Sequence, residues 1–252
     1  MSTLSRYILA QARRGAALTI THSPIKHLSD GEYTPMTMQV ALMGKAGNIV
    51  IASDRKSQVQ PLIEGAARHT TERVKIKVAP SRRIAVSSAI DLDTADEIAD
   101  RIIAEMDDQT GDNRDTRILG IANRIVGNRS VECIAAFLDP EPSLYFLECK
   151  GDNHKACNIR FLHTYAGDRV NAAVYWNEMY HQTEDLSVEQ MCRLSAHVIA
   201  TAAQLNPKDI SGLDIVRSEV DGFHFLPKKE LDALKEASQD HNRRFGAAVL
   251  GN

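Results

Sequence analysis

Strand-like and helix-like segments come in pairs along this chain, and that order limits the available folds more than any other feature. MTMQVALM and IVIAS are β-prone apolar runs joined by GKAGN, which predicts a hairpin opening at Met36. RVKIKV and RRIAVSSAI, joined by APS, predict a second hairpin, with a polar linker over 55–71 between the two. Two helices follow. LDTADEIADRIIAEMDD repeats its apolar positions at Ala95, Ile98, Ala99, Ile102 and Met106 with Asp93 placed to cap it, and NRDTRILGIANRIVGN does so at Ile118, Ile121, Ala122 and Ile125. Then come the strands VECIAAFLD, LYFLEC and NIRFLHTYAG, and the helices DRVNAAVYWNEMY and LSVEQMCRLSAHVIATAAQL. The latter opens on Ser187-Val188-Glu189-Gln190, the spacing of a capping box. GLDIVRSEV and FHFL precede a final helical segment from Lys229 to about Phe245. Hairpins without strict strand–helix alternation predict mainly antiparallel sheets in an α+β domain, with two sheets between two helix layers: a four-layer αββα sandwich.

Composition narrows the functional classes. With 43% apolar and 25% charged residues over 252 positions, the chain holds material for a substantial core. A net charge of −3 gives no electrostatic footprint for nucleic acid. No apolar run reaches the roughly 18 to 20 residues needed to span a bilayer. GKAG lacks Walker spacing and precedes a strand, so no phosphate loop and no cofactor are expected. Cys149, His154, Cys157 and His163 faintly suggest a metal knuckle but miss the spacings of structural zinc, and scattered cysteines fit a reducing compartment. The expected location is cytoplasmic.

The first part of the chain differs in texture. Residues 5–18 predict a helix, 19–35 a loose connector, and the basic bias before Asp30 suits a propeptide, a transit segment or a docking helix. The expected organisation is an extension over 1–36 and a domain over 37–252.

Three stretches carry a family resemblance. TMQVALMGKAGNIVIASDRK, ERVKIKVAPSRRIAVSSAIDLDTADEIADRI and LSVEQMCRLSAHVIATAAQLNPKDISGLDIVRSEVDG, in this order, resemble the proteasome subunits and the simpler HslV-type bacterial peptidases over roughly 36 to 235. The resemblance implies an N-terminal nucleophile (Ntn) hydrolase. There, the hydroxyl of an N-terminal threonine attacks a peptide carbonyl, and the threonine's own α-amino group takes up the proton. An α-amine with a pKa of about 7.7–8.0 is suited to that work near neutral pH, where a lysine at about 10.4 is not.

Carried over by position, the nucleophile falls on Thr37 when the GKAGN turn holds one extra residue, and on Met38 otherwise. Asp54 matches the aspartate of the Ala-x-Asp-x-Arg strand end. The lysine position holds Arg73, which keeps a positive charge but cannot shuttle a proton, and a shift of two residues would restore lysine through Lys75. Ala89 stands where the family has its oxyanion-hole glycine, Gly167 lies in the turn where the family has Gly-Ser-Gly, and Ser211 with Asp209 approximates the Asp-x-x-Ser-Gly word. Met36 precedes Thr37 where self-processing members have glycine.

The resemblance leaves two readings. One is a threonine endopeptidase, its Thr37 exposed by removal of 1–36 or by an internal start at Met36, acting on peptides or unfolded protein. The other is a catalytically silent ring subunit that keeps its extension. Both imply self-association into closed rings; an ATP-dependent unfoldase partner follows by analogy alone. A third reading drops the resemblance and leaves an α+β domain with unrelated binding function.

Overall fold

The structure is a computed structural model and describes residues 37–59, 69–107, 113–159, 163–167, 171–181 and 185–251. The expected helix over 5–18 and the extension over 1–36 lie outside the described residues.

The strands are β1 (Met38–Met43), β2 (Ile49–Ser53), β3 (Lys56–Val59), β4 (His69–Glu72), β5 (Ile76–Val78), β6 (Ile84–Ile90), β7 (Val131–Phe137), β8 (Ser143–Lys150), β9 (Asn153–Asn158), β10 (His163–Gly167), β11 (Asp214–Glu219) and β12 (Gly222–Phe225). The helices are α1 (Leu92–Met106), α2 (Arg114–Ile125), α3 (Asn171–Tyr180), α4 (Val188–Leu205) and α5 (Lys228–Leu250). Two five-stranded sheets, β10-β1-β2-β11-β12 and β5-β6-β7-β8-β9, are antiparallel throughout.

Period-two alternation explains how each sheet is covered on both faces. Val40 and Leu42 of β1 and Val50 and Ala52 of β2 face α3 and α4, while Ala41, Ile49 and Ile51 face the other sheet. On β6, Ile84 and Val86 face α1 and α2, and Ala85 and Ala89 face inward. The described domain is therefore the four-layer αββα sandwich, with one apolar layer between the sheets and one under each helix pair. Apolar residues on both faces leave the hydrophobic pattern unable to set strand register. Buried polar groups supply that information, chief among them Gln39. Its side chain donates to the Ser88 carbonyl and accepts from Ser87 Oγ at 2.8 Å, pinning β1 across to β6.

Local signals hold with instructive exceptions. The Ser187 capping box forms in both directions. The N-cap of α1 is Asp91, which accepts from the Thr94 N–H, and not Asp93, because β6 runs on to Ile90 and the helix starts at Leu92. The stretch expected as linker over 55–71 overlaps the two-stranded sheet β3–β4, which runs on to Glu72. NIRFLHTYAG is not one strand: Asn158 ends β9 in one sheet, and His163 opens β10 in the other.

Candidate active site

Two hairpin ends and one irregular segment meet at the edge of the inter-sheet layer. Thr37 immediately precedes β1, and Asp54 immediately follows β2. The β1–β2 register sets Gln39 against Ser53, which brings the two flanking residues together. The Asp54 N–H donates to the Met38 carbonyl at 3.1 Å, and the Met38 N–H returns a bond to Asp54 Oδ1 at 3.0 Å. Lys56 N–H adds a bond to Asp54 Oδ2 at 3.0 Å. A carboxylate so fixed by main-chain donors is a rigid landmark.

Lys75 reaches this landmark from the other sheet. Its ammonium lies 2.8 Å from Thr37 Oγ1 and 2.9 Å from Asp54 Oδ1, with the Lys75 and Asp54 side chains fully buried and Thr37 1% exposed. Burial pushes Lys75 below the usual ammonium range, offset in part by the Asp54 charge. Burial likewise raises Asp54, against the opposing pull of Lys75. Each shift reflects the cost of placing two charges in a dry layer. The contact itself polarises the Thr37 hydroxyl, since a donated hydrogen bond stabilises negative charge building on Oγ1.

Arg73 does not enter this cluster. It pairs with Asp93 at 2.8 Å and Asp96 at 2.5 Å on α1, and these contacts hold its guanidinium above its usual range. Residues 73–75 precede β5, so strand alternation does not govern them, and Arg73 and Lys75 diverge although the sequence places them on one face. The lysine beside Thr37 and Asp54 is Lys75.

The remaining candidates fall around the cluster in different ways. The Ser211 carbonyl accepts from the Arg55 and Lys56 N–H groups at 2.8 and 3.2 Å, so its backbone clamps the turn that carries Asp54. Asp209 is buried on the same loop, with its N–H bonded to the Asn206 carbonyl. Gly212, at φ +74°, lets that loop lie against the Arg55 side chain, which a Cβ would strike. Gly167, at φ +79°, packs so closely on Thr37 that a Cβ would overlap the Thr37 carbonyl oxygen.

Ala89 does not present its N–H to the cluster. Residues 83 and 91 bond to the β7 side and residues 84 and 88 to the β5 side. By that alternation the Ala89 N–H points into the β7 ladder, toward Glu132. The next N–H on the β5 side belongs to Ile90, beyond the end of β5 and at a left-handed φ of +76° that a β-branched residue rarely adopts.

Two polar residues near the cluster escaped the sequence reading: Gln39, described above, and Glu132 on β7, whose Oε2 accepts from the Gly167 N–H at 2.7 Å. Each is a polar residue within an apolar strand word. That was the available signal, but it does not say which partner the residue meets.

The cysteine–histidine set does not converge. Cys149 and His154 face each other across β8–β9, His154 bonds Asn123 and the Gly151 carbonyl, and His163 sits in the other sheet against Glu178. Among the described residues, only Glu219, Asp221 and His224 bring three ligand-type atoms within 4.8 Å of one another. No described helix is long and apolar enough to cross a membrane.

No family model matches this chain, and no curated protein does. Solved structures do match. Anbu from Hyphomicrobium sp. strain MC1 superimposes with a TM-score of 0.60 at 15% identity over 83% of this chain and 97% of that one. Its Gly-1 mutant gives 0.61 at 15%, over 84% and 99%. Anbu from Yersinia bercovieri, described as an ancestral beta-subunit, gives 0.62 at 14%, over 83% and 96%. At this identity the likeness is one of fold, and the fold is the proteasome-like Ntn hydrolase sandwich. It corrects the HslV-type resemblance read from the sequence: these neighbours are Anbu chains, so the shared strand and helix words mark the wider proteasome-like fold and are not specific to the HslV-type family.

Proposed function

We propose that this chain is a proteasome-like subunit that hydrolyses peptide bonds with Thr37 as an N-terminal nucleophile. The observation that carries the reading is the Lys75 ammonium shared between Thr37 Oγ1 and Asp54 in a buried, cross-sheet cluster. A surface threonine needs no such partner. A buried ion pair spent on one hydroxyl is costly unless the hydroxyl is to carry charge.

The roles follow from who donates. An ammonium that donates to Oγ1 cannot also be the base that takes the Oγ1 proton. That base is the α-amine of Thr37 once the chain begins there, with an ordinary pKa near 7.7–8.0. Oγ1 attacks the scissile carbonyl carbon while the amine accepts its proton. Lys75, held by Asp54, stabilises the charge on Oγ1. The tetrahedral oxyanion lies toward the Ile90 end of β6, where a main-chain N–H points past β5. Collapse expels the substrate amine, which takes the proton from the Thr37 ammonium and leaves an ester on Oγ1. Water, deprotonated by the same amine, hydrolyses that ester. Asp209, Ser211 and Gly167 hold the surrounding loops, and residues 1–36 serve as a propeptide.

Peptide or unfolded protein is the substrate class. Self-association into closed rings would shelter the nucleophile. Exposed Tyr175, Met179 and Tyr180 on α3 with Phe245, Val249 and Leu250 on α5 offer apolar surface for it. A second reading, the silent ring subunit, is favoured by one fact: with 1–36 attached, the Thr37 nitrogen is an amide and has no basic lone pair. Intact mass and N-terminal sequencing of the purified protein separate the two. A chain beginning at Thr37, with peptidase activity that Thr37→Ala abolishes, supports the hydrolase. An uncleaved chain without activity overturns it in favour of the silent subunit.

A further inference from the structure

The β10 edge poses a problem that Glu132 solves. Met38 faces β2, as its bonds to Asp54 show, so its cross-strand partner Gly167 has no bond to β1 on that side of the ladder. The Gly167 N–H therefore points to the outer edge of the sheet, where an unpaired donor is costly. Glu132 reaches over from the other sheet and accepts it at 2.7 Å. Gly167 is also the residue that lies against the Thr37 carbonyl. A carboxylate on β7 thus fixes a glycine on β10, and that glycine abuts the nucleophile. Gln39 forms a second staple between the sheets, from β1 to β6.

We propose that Glu132 is a positioning residue for Thr37: by accepting the Gly167 N–H it holds the end of β10 against the Thr37 main chain and keeps Oγ1 at hydrogen-bonding distance from Lys75. The inference rests on the hydrolase reading above. The requirement is for an acceptor at Glu132 Oε2, not for a charge, and this separates it from a simple electrostatic role. Displacement of a nucleophile by about 1 Å costs on the order of a hundredfold in rate.

The test compares wild type, Glu132→Gln and Glu132→Ala with Leu-Leu-Leu vinyl sulfone, which labels Thr37 when Oγ1 adds to the β-carbon of the alkene and the α-carbon takes up the proton. Labelling is read by mass, alongside amide exchange over 163–167 and the thermal midpoint. Glu132→Gln keeps an acceptor and should label within about threefold of wild type. Glu132→Ala should label at least roughly tenfold more slowly, with faster exchange at Gly167 and a thermal midpoint within a few degrees. If Glu132→Ala labels as fast as wild type, or Glu132→Gln is as slow as Glu132→Ala, the positioning role is wrong while the hydrolase reading stands. A wild type that never labels at Thr37 sinks the hydrolase reading, and the positioning role with it.

Discussion

Thr37 Oγ1 accepts a 2.8 Å hydrogen bond from Lys75 across 38 positions of sequence and from the opposite sheet. Polar contacts of Gln39 with Ser87 and Ser88 and of Glu132 with Gly167 also link the two sheets. The β1–β2 register brings Asp54 beside Met38, the Ser211 carbonyl clamps the turn that follows, and Gln39 and Glu132 tie the sheets together nearby. Lys75 donates to Oγ1, so in the hydrolase reading proposed above the Oγ1 proton goes to the α-amine of Thr37.

Lys75 and Arg73 should therefore respond in opposite ways to conservative exchange. Lys75→Arg keeps the charge but forces a broad planar fork into a fully buried slot. Labelling of Thr37 should fall at least about a hundredfold. Arg73→Lys alters only a partly exposed pair with Asp93 and Asp96, and should change stability by no more than about 1 kcal/mol and the labelling rate by less than about twofold. Equal losses in both variants would mean that the proximity of Lys75 to Thr37 has no catalytic meaning.

The buried pair should be non-additive in stability. Lys75→Met leaves Asp54 among two main-chain donors without its cation, and Asp54→Asn leaves a buried ammonium; each should cost about 3–5 kcal/mol. The double variant removes both charges and should cost well under the sum. Urea unfolding of the four proteins in one buffer gives the coupling energy directly. Strict additivity would show that the two side chains do not interact in solution.

How much of this was legible beforehand depends on which physics set each feature. The main strand and helix words were readable because both faces of β1, β2, β6, β7 and β8 and one face of each helix are apolar, and the Ser187 capping box was readable because it is local. Thr37 and Asp54 could be expected near one another because they flank the two strands of one hairpin. Lys75 was left open against Arg73 because residues 73–75 are irregular, and strand alternation says nothing about where an irregular residue points. Glu132 was invisible for a different reason. Its partner Gly167 lies in the other sheet, and nothing in VECIAAF specifies which strand of the other sheet crosses over it. The β3–β4 pair was hidden because KSQV and HTTE are polar and read as linker.

Gly167→Ala should be severe for its size. The added methyl would overlap the Thr37 carbonyl oxygen, and φ +79° is unfavourable for any residue with a Cβ. The main chain at 37 or at 167 must move, at a cost of about 2–4 kcal/mol. Thr37 labelling should be lost even at temperatures where the protein stays folded. A variant with wild-type melting and labelling would contradict the close approach of β10 to Thr37.

Acid should unfold the helix layer over α3 and α4 from within. Burial lowers His181 and His197 from an ordinary value of 6.5 to about 4, with the neighbouring His163 adding to the effect at His181 and His241 at His197. Both rings are nearly sealed, and each keeps one nitrogen without a partner. The unfolded chain binds a proton near pH 6.5, while the folded chain resists it until about 4. The stability conferred by neutral burial is therefore full above 6.5 and is lost as pH falls toward 4, by about 3 kcal/mol per histidine. Trp176 is the single tryptophan and packs 5.2 Å from the His197 ring, so its fluorescence reports unfolding of this layer. In urea titrations at pH 7.5 and 4.5, His197→Gln, which stays neutral and can still bond Ser238 Oγ, should lose less stability on acidification than wild type. Equal losses in the two proteins would place the acid-sensitive groups elsewhere.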